Sequence, residues 1–388
     1  MYSPFRCLAA IAALPLLTAV SIHGAQNAGA AVTTAQVTEA RSEPAVPLDA
    51  AGESIYQAAC AACHGADGAG APRSRVGFAQ DLPDFTDCSF ATPEPAADWF
   101  AVVHEGGPIR GLDRHMPAFG EALTPAQIGR VVDYVSHFCT DTAWPRGDLN
   151  LPRPLFTEKA YPENEFVITT GFSTTGTSQI SNELLYERRL GKRSQLEVSL
   201  PLESAQLEGA PWTGGIGDIA ISVKRAFYAS VNTGRILSAG TEVVLPTGSE
   251  SGGRGAGTSI VEPFVTFGQA IGATAFVHLH SGVELPFDTD KSPREVFVRS
   301  AFGNSFLQER SFGRAWTPMI ELLWARPQGG TAEWDVVPQL QVTLSKLQHV
   351  MVAAGVRIPL NGGDERHPEV ITYFLWDWFD GGLFEFWR

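Results

Sequence analysis

From about residue 163 onward, apolar and polar side chains alternate one by one. Leu196, Val198, Leu200 and Leu202 fall on one face of an extended chain, with Gln195, Glu197 and Ser199 on the other. Ala275, Val277, Leu279, Val283 and Leu285 alternate with Phe276, His278, His280 and Glu284, and Trp334, Val336, Leu340, Val342 and Leu344 with Asp335, Gln339, Gln341 and Thr343. Val350, Val352, Ala354, Val356, Ile358 and Leu360 form another apolar face. A period of two assigns each set to one side of a β-strand. About twelve such segments begin near residues 165, 179, 194, 216, 235, 258, 273, 294, 314, 333, 348 and 369, separated by Gly, Pro, Asn, Asp and Ser clusters. No stretch here reads as a long helix, so the connections should be hairpins of an antiparallel sheet.

The earlier part has another texture. Ile128, Val131, Val132 and Val135 mark one face of a helix that opens at Thr124-Pro125-Ala126-Gln127, with a capping threonine and proline in the first turn. That helix closes a segment running from 49 to 143. Trp144 to Asp148 and Leu151 to Pro154 follow as a proline-punctuated linker, 144–162, which excludes helix and central strand. Residues 31–48, rich in Ala, Thr, Glu and Pro, read as a first linker. Residues 1–30 read as an export signal. Arg6 gives a positive start, Leu8 to Val20 is apolar apart from Pro15 and Thr18, and Ala28-Gly29-Ala30 suits a signal peptidase. A retained membrane anchor is the competing reading, though the run is short for a spanning helix. Cys7 lacks the small residues of a lipid-attachment site before it.

The expected architecture is therefore an all-α first domain (49–143) followed by an antiparallel β-domain (163–388). About twelve strands of roughly ten residues suit a transmembrane β-barrel. Trp316, Trp324, Trp334, Tyr373, Trp376, Trp378 and Trp387 near strand ends would serve as aromatic girdles. Glu197, Lys224, Glu242, Glu284, Gln339 and Arg357 on the non-apolar face would line a polar lumen. A soluble sheet wet on one face would alternate in the same way. The 39 glycines, the 10% aromatic content and only 4 methionines agree with a β-rich part.

Cys60-Ala61-Ala62-Cys63-His64 carries the clearest chemistry. Two thiols can add to the two vinyl groups of a haem, which holds the adjacent histidine under the iron as the proximal ligand. A zinc knuckle or a redox dithiol are the other readings of such spacing. Zinc would want a second Cys/His pair, and Cys88 and Cys139 are far apart and solitary. Met116, in Arg114-His115-Met116-Pro117-Ala118-Phe119, is the candidate sixth ligand, with His115 and His104 as alternatives. Methionine ligation would raise the potential relative to two histidines.

Tyr56 to Gly70, Met116 to Phe119 and the closing helix to Phe138 together resemble a class I cytochrome c. The resemblance implies a helical fold around one covalent haem c, attached at Cys60 and Cys63 with His64 and Met116 as axial ligands to iron. Cys88 and Cys139 are extra to that pattern. In an oxidising compartment they could pair, or they could stay as two inert buried thiols. Gly217-Asp218-Ile219-Ala220 and Glu242 to Ser249 resemble outer-membrane barrels found with aromatic-degradation pathways. A cytochrome ahead of a barrel resembles the porin-cytochrome fusions implicated in extracellular iron oxidation. This chain has a shorter β region and a fuller cytochrome domain than those fusions.

Net charge is −14. Between Pro47 and Pro145 there are 13 Asp and Glu against 5 Arg and no Lys, which argues against nucleic acid and for basic partners or cations. His278 and His280, two apart on the polar face, could bind a metal ion or simply line the lumen. No nucleophile elbow, phosphate loop or carboxylate pair supports hydrolysis. The expectation is an outer-membrane electron carrier rather than an enzyme, its cytochrome capping the barrel from the periplasm. Its partners would be periplasmic electron carriers, membrane lipid, and a metal ion or small redox shuttle. A small-molecule channel with a haem sensor, and a soluble periplasmic cytochrome with an all-β docking domain, are the alternatives.

Overall fold

The computed structural model describes residues 47–77, 82–173, 178–206, 211–307, 315–345, 349–363 and 366–378. The expected export signal with Cys7, and residues 31–46 of the first linker, lie outside the described residues.

The helical part comprises α1 (Gly52–Ala59), α2 (Ala61–His64), α3 (Arg73–Val76), α4 (Cys88–Ala91), α5 (Ala96–Glu105) and α6 (Pro125–Ser136). Helix α6 opens as its sequence implies. Thr124 Oγ1 accepts from the Gln127 N–H at 3.3 Å, and Gln127 Oε1 accepts from the Thr124 N–H at 2.8 Å. Such a reciprocal cap satisfies two otherwise orphaned donors. The buried face of α6, Ile128, Val131 and Val132, packs on Ile55 of α1 and on Leu123. The two helices approach at Gly52, where any Cβ would collide with the Arg130 carbonyl oxygen. Cys88 and Cys139 are joined in a disulfide that ties the start of α4 to the chain just beyond α6.

Fourteen strands follow: β1 (Glu165–Ser173), β2 (Ser178–Leu190), β3 (Ser194–Gln206), β4 (Thr213–Ile216), β5 (Ile219–Ser230), β6 (Arg235–Leu245) and β7 (Ile260–Ile271), then β8 (Ala275–Pro286), β9 (Glu295–Asn304), β10 (Phe306–Leu307), β11 (Ala315–Pro327), β12 (Glu333–Thr343), β13 (Val350–Pro359) and β14 (Glu369–Asp377). Strands β4 and β10 are short additions alongside β3 and β11, and the alternation pattern did not reveal them. The other twelve pair antiparallel with their neighbours, and β1 pairs with β14, so the sheet closes into a barrel with no free edge.

Polarity across the wall is inverted relative to a soluble protein. Gln195, Glu197, Lys224, His278, Glu321 and Gln339 point inward and are buried. Ile221, Val223, Leu237, Val265, Leu279, Ile320, Leu322, Leu340 and Val370 point outward and are 39% to 54% exposed. A soluble sheet would bury the second set and wet the first. Only a hydrocarbon solvent suits an apolar exterior around a charged interior.

Connections 191–193, 231–234 and 272–274 are short and share one end of the barrel with the start of β1 and the end of β14. The opposite end carries the longer connections 246–259 and 287–294. There Asp218 accepts the Gly248 and Ala256 N–H groups at 2.8 and 2.7 Å, bringing together two segments that carry the barrel resemblance. The helical domain sits at the first end. Asp141 pairs with Lys192 at 2.5 Å, Glu94 with His349 at 3.3 Å, and Arg193 Nε donates to the Ala143 carbonyl at 2.7 Å.

The proline-punctuated stretch 144–162 connects the two parts, and most of it also lies inside the barrel. Leu149, Leu151, Thr157, Lys159, Ala160 and Tyr161 are all buried. Arg153 reaches Glu165 of β1 and Glu187 of β2 at 3.2 and 3.0 Å. Lys159 holds Glu163 at 2.6 Å, and Lys224 of β5 holds Glu158. The Glu321 carboxylate of β11 accepts the backbone N–H groups of Leu155, Phe156 and Thr157. Ser238 of β6 donates to the Ala160 carbonyl, and Tyr373 of β14 to that of Arg153. Partners from strands all around the wall place this segment in the lumen as a plug.

Candidate functional site

The thiols and imidazole of Cys60-Ala61-Ala62-Cys63-His64 share one tight turn. Cys60 caps α1, and its carbonyl accepts from the N–H groups of Cys63 and His64 at 3.1 and 2.9 Å. Tyr56 fixes this turn from below. Its hydroxyl donates to the Gly65 carbonyl at 2.8 Å, and its ring packs on Tyr134 and Phe138 with centroids 5.4 and 5.2 Å away. The chain then doubles back through Gly68, at φ 81°, where a Cβ would lie 2.6 Å from the Phe138 ring. Only glycine meets both demands.

The His64 ring stacks on Phe85 at 5.0 Å, and Phe85 meets Trp99 of α5 edge-on at 5.6 Å. Burial pushes the His64 imidazole below its ordinary pKa, keeping it neutral with an electron pair to donate. Its Nδ1 is buried without a hydrogen-bond partner among the described residues. Burial, then the neighbouring Cys63, pushes the Cys60 thiol up to about 11. Neither cysteine of the motif is engaged in a disulfide.

Met116 sits on a loop pinned to the end of α5. Its N–H donates to the Asp113 carbonyl at 3.2 Å, and its own carbonyl accepts from the Gly107 N–H at 3.0 Å. At Gly107 a Cβ would strike the Asp113 carbonyl oxygen, so glycine lets the loop close on the helix end. Met116 is half-buried. The two histidine alternatives are engaged elsewhere. His115 is 54% exposed at its side chain and contacts Asp113 at 2.6 Å through Nδ1. His104 contacts Glu105 at 2.8 Å and stacks on Phe100. The Asp113 carboxyl is held below the usual range first by the His115 backbone N–H.

These residues suit a haem. Two thiols and a neutral imidazole share a turn. Trp99, Phe100, Val103 and Phe119, packed on the cluster that includes Cys60, stay only partly buried, as residues covered by a macrocycle would. The zinc reading fails, because the other two described cysteines are consumed in a disulfide.

His278 and His280 do face the lumen, yet they hold the plug. His278 Nε2 donates to the Pro152 carbonyl at 3.0 Å, and His280 Nδ1 accepts from the Glu158 N–H at 3.4 Å. Neither belongs to a group of potential metal ligands among the described residues. Two such groups, Glu158 with Glu187 and Glu197, and Glu163 with Glu165 and Glu187, lie against Arg153, Lys159 and Lys224. Sequence reasoning missed Tyr56, Phe85 and Trp99 as the frame of the turn, and it missed the plug. The one available signal was charge: Arg153, Glu158, Lys159, Glu163 and Glu165 are dense for a tether.

Residues 47–135 match the family described as cytochrome c oxidase, cbb3-type, subunit III. No curated protein matches the chain. Among solved structures it is similar to an outer-membrane channel from Pseudomonas putida F1, at 13% identity over 58% of this chain and 99% of that one, with a TM-score of 0.38. The KdgM porin (11%, 55% and 98%, TM-score 0.37) and the NanC porin (9%, 54% and 97%, TM-score 0.36) are similar to a like degree. A segment that matches a cytochrome c family therefore precedes a closed twelve-stranded barrel in one chain.

Proposed function

We propose that this chain is an outer-membrane electron carrier with one covalent haem c, passing single electrons between periplasmic carriers and a donor or acceptor at or beyond the membrane. The observation that carries the reading is the Cys60–His64 turn, framed by Tyr56 and Phe85 within the segment that matches a cytochrome c family. Cys60 and Cys63 would tether the haem, and His64 and Met116 would hold its iron. Bound there, a haem exchanges one electron between its ferric and ferrous states. The chain's own part is to keep His64 neutral, to present Met116 from a loop pinned at Gly107, and to shield His64 with Phe85, itself backed by Trp99. The barrel anchors the carrier, since its apolar exterior calls for lipid. The end bearing the helical domain also bears the short connections 191–193, 231–234 and 272–274, the start of β1 and the end of β14, the periplasmic pattern of outer-membrane barrels. The acidic helical domain would meet basic soluble carriers there.

Fractionation with haem staining and redox titration tests this. The expected result is a single haem that stays with outer-membrane material after denaturation, and a domain that external protease reaches only in permeabilised cells. Haem lost on denaturation, or found in the soluble fraction, would overturn it.

A further inference from the structure

We propose that the segment from Leu149 to Glu163 is a gate, and that the barrel conducts small cations when this segment withdraws. The wall does not need the plug for closure, because twelve strands complete their own hydrogen-bonded circuit without it. Nor does the plug join the sheet. It contributes only a 3-10 turn at Gly147–Leu149, and wall side chains hold it in the lumen. Buried ion pairs such as those of Arg153 and Lys159 recover little net energy, since both charges must lose their water.

The wall also carries polar groups that the plug leaves unmet. Ser222 Oγ, Thr266 Oγ1, His280 Nε2 and Gln339 Oε1 are buried with no partner among the described residues. Water entering the lumen would satisfy all four. Toward the end remote from the helical domain, Glu242 of β6 lies directly opposite Glu262 of β7, and Glu284 of β8 opposite Glu295 of β9. All four project on the inward face, and none forms a salt bridge among the described residues. Arg299 of β9 is a positive charge that acts on all four, and against four carboxylates it leaves a net negative ring. Like charges facing one another across strands destabilise a sheet, so a passing cation is the species they favour. When Arg153 and Lys159 leave, Glu165 and Glu187 add to that field.

Room for movement exists at the other end. A cavity of about 890 Å³ lies beside the contacts between the helical domain and the barrel mouth, bordered by Glu94, Asp98, Trp144, Tyr161, Thr317 and His349. The plug continues directly into the helical domain through the Gly147 N–H on the Thr92 carbonyl, at 2.7 Å. Movement of that domain therefore pulls on the gate.

The test uses the full chain with its haem in planar bilayers under a potassium chloride gradient. The native protein should stay closed nearly all the time. Arg153→Gln with Lys159→Gln should raise open probability by about a hundredfold, as expected when a buried pair loses one partner. The reversal potential should lie toward that of potassium. Adding Glu242→Gln, Glu262→Gln, Glu284→Gln and Glu295→Gln should bring it toward zero while the pore stays open. A folded double variant that remains closed, or an open pore without cation preference, would overturn the proposal. Should the charge variants fail to fold, Thr157→Cys gives a second reading. This position is 2% exposed, and a polar thiol reagent should label it faster under applied voltage. Absence of labelling would mark the segment as permanent core and end the proposal.

Discussion

Replacing Cys88 and Cys139 together by alanine should destabilise the helical domain by about 4 kcal/mol. The bridge spans 51 residues of sequence. Chain-entropy loss for a loop of that size is about 14 cal/mol/K, hence about 4 kcal/mol at 25 °C. The loop contains α4, α5, the Met116 segment and α6. Domains hold only about 5–15 kcal/mol in total, so the variant should be marginal. The assay is guanidinium titration of the full chain in detergent, following haem absorbance for the helical domain and far-ultraviolet dichroism for the barrel. The haem signal should show its cooperative transition at lower denaturant and with a steeper slope, because the uncrosslinked unfolded chain exposes more surface. The barrel transition should not move. Dithiothreitol added to the native protein should reproduce the variant. A stability change below about 1 kcal/mol, against the loop-entropy value, would refute the argument that this bridge restrains the unfolded chain.

Met116→Ala should abolish the methionine-to-iron charge-transfer band and lower the haem potential while haem stays attached; an unchanged spectrum would promote His115 or His104. Gly107→Ala should weaken the same band in a folded protein, because its new Cβ strikes the Asp113 carbonyl and lifts the Met116 loop; an intact band would show that the loop is not pinned there. Glu321→Ala orphans the N–H groups of Leu155, Phe156 and Thr157. At about 1–3 kcal/mol for a buried unpaired donor, it should lower the temperature at which the barrel loses its heat-modifiable migration in gels; no change would mean that the plug is not held by this carboxylate.

Much of the architecture was legible because its signals are local. Cys60, Cys63 and His64 lie within five consecutive positions, so their chemistry needs no knowledge of the fold. The pattern of Thr124, Pro125 and Gln127 likewise declares a helix start within one turn. Twelve alternating runs gave the strand count, since a period of two survives whatever the strand pairs with. The same alternation could not say which face is wet. Glu197 and Leu196 alternate identically in a soluble sheet and in a barrel, and only the pairing of β1 with β14 settles the matter by enclosing one face. The short strands β4 and β10 were invisible because they are too brief to show a period.

The plug was beyond reach for a deeper reason. Arg153 meets Glu187 across 34 positions, and Glu321 meets Thr157 across 164. Read alone, residues 144–162 are a proline-broken, charged stretch, which local physics assigns to a solvated tether. Its burial depends on a lumen that does not exist until twelve strands have closed around it. The haem-binding motif and the periodic elements of this protein were legible in the sequence near each residue. Which charges face each other, and what fills the barrel, were decided by closure, because only a closed wall makes partners of residues so far apart along the chain.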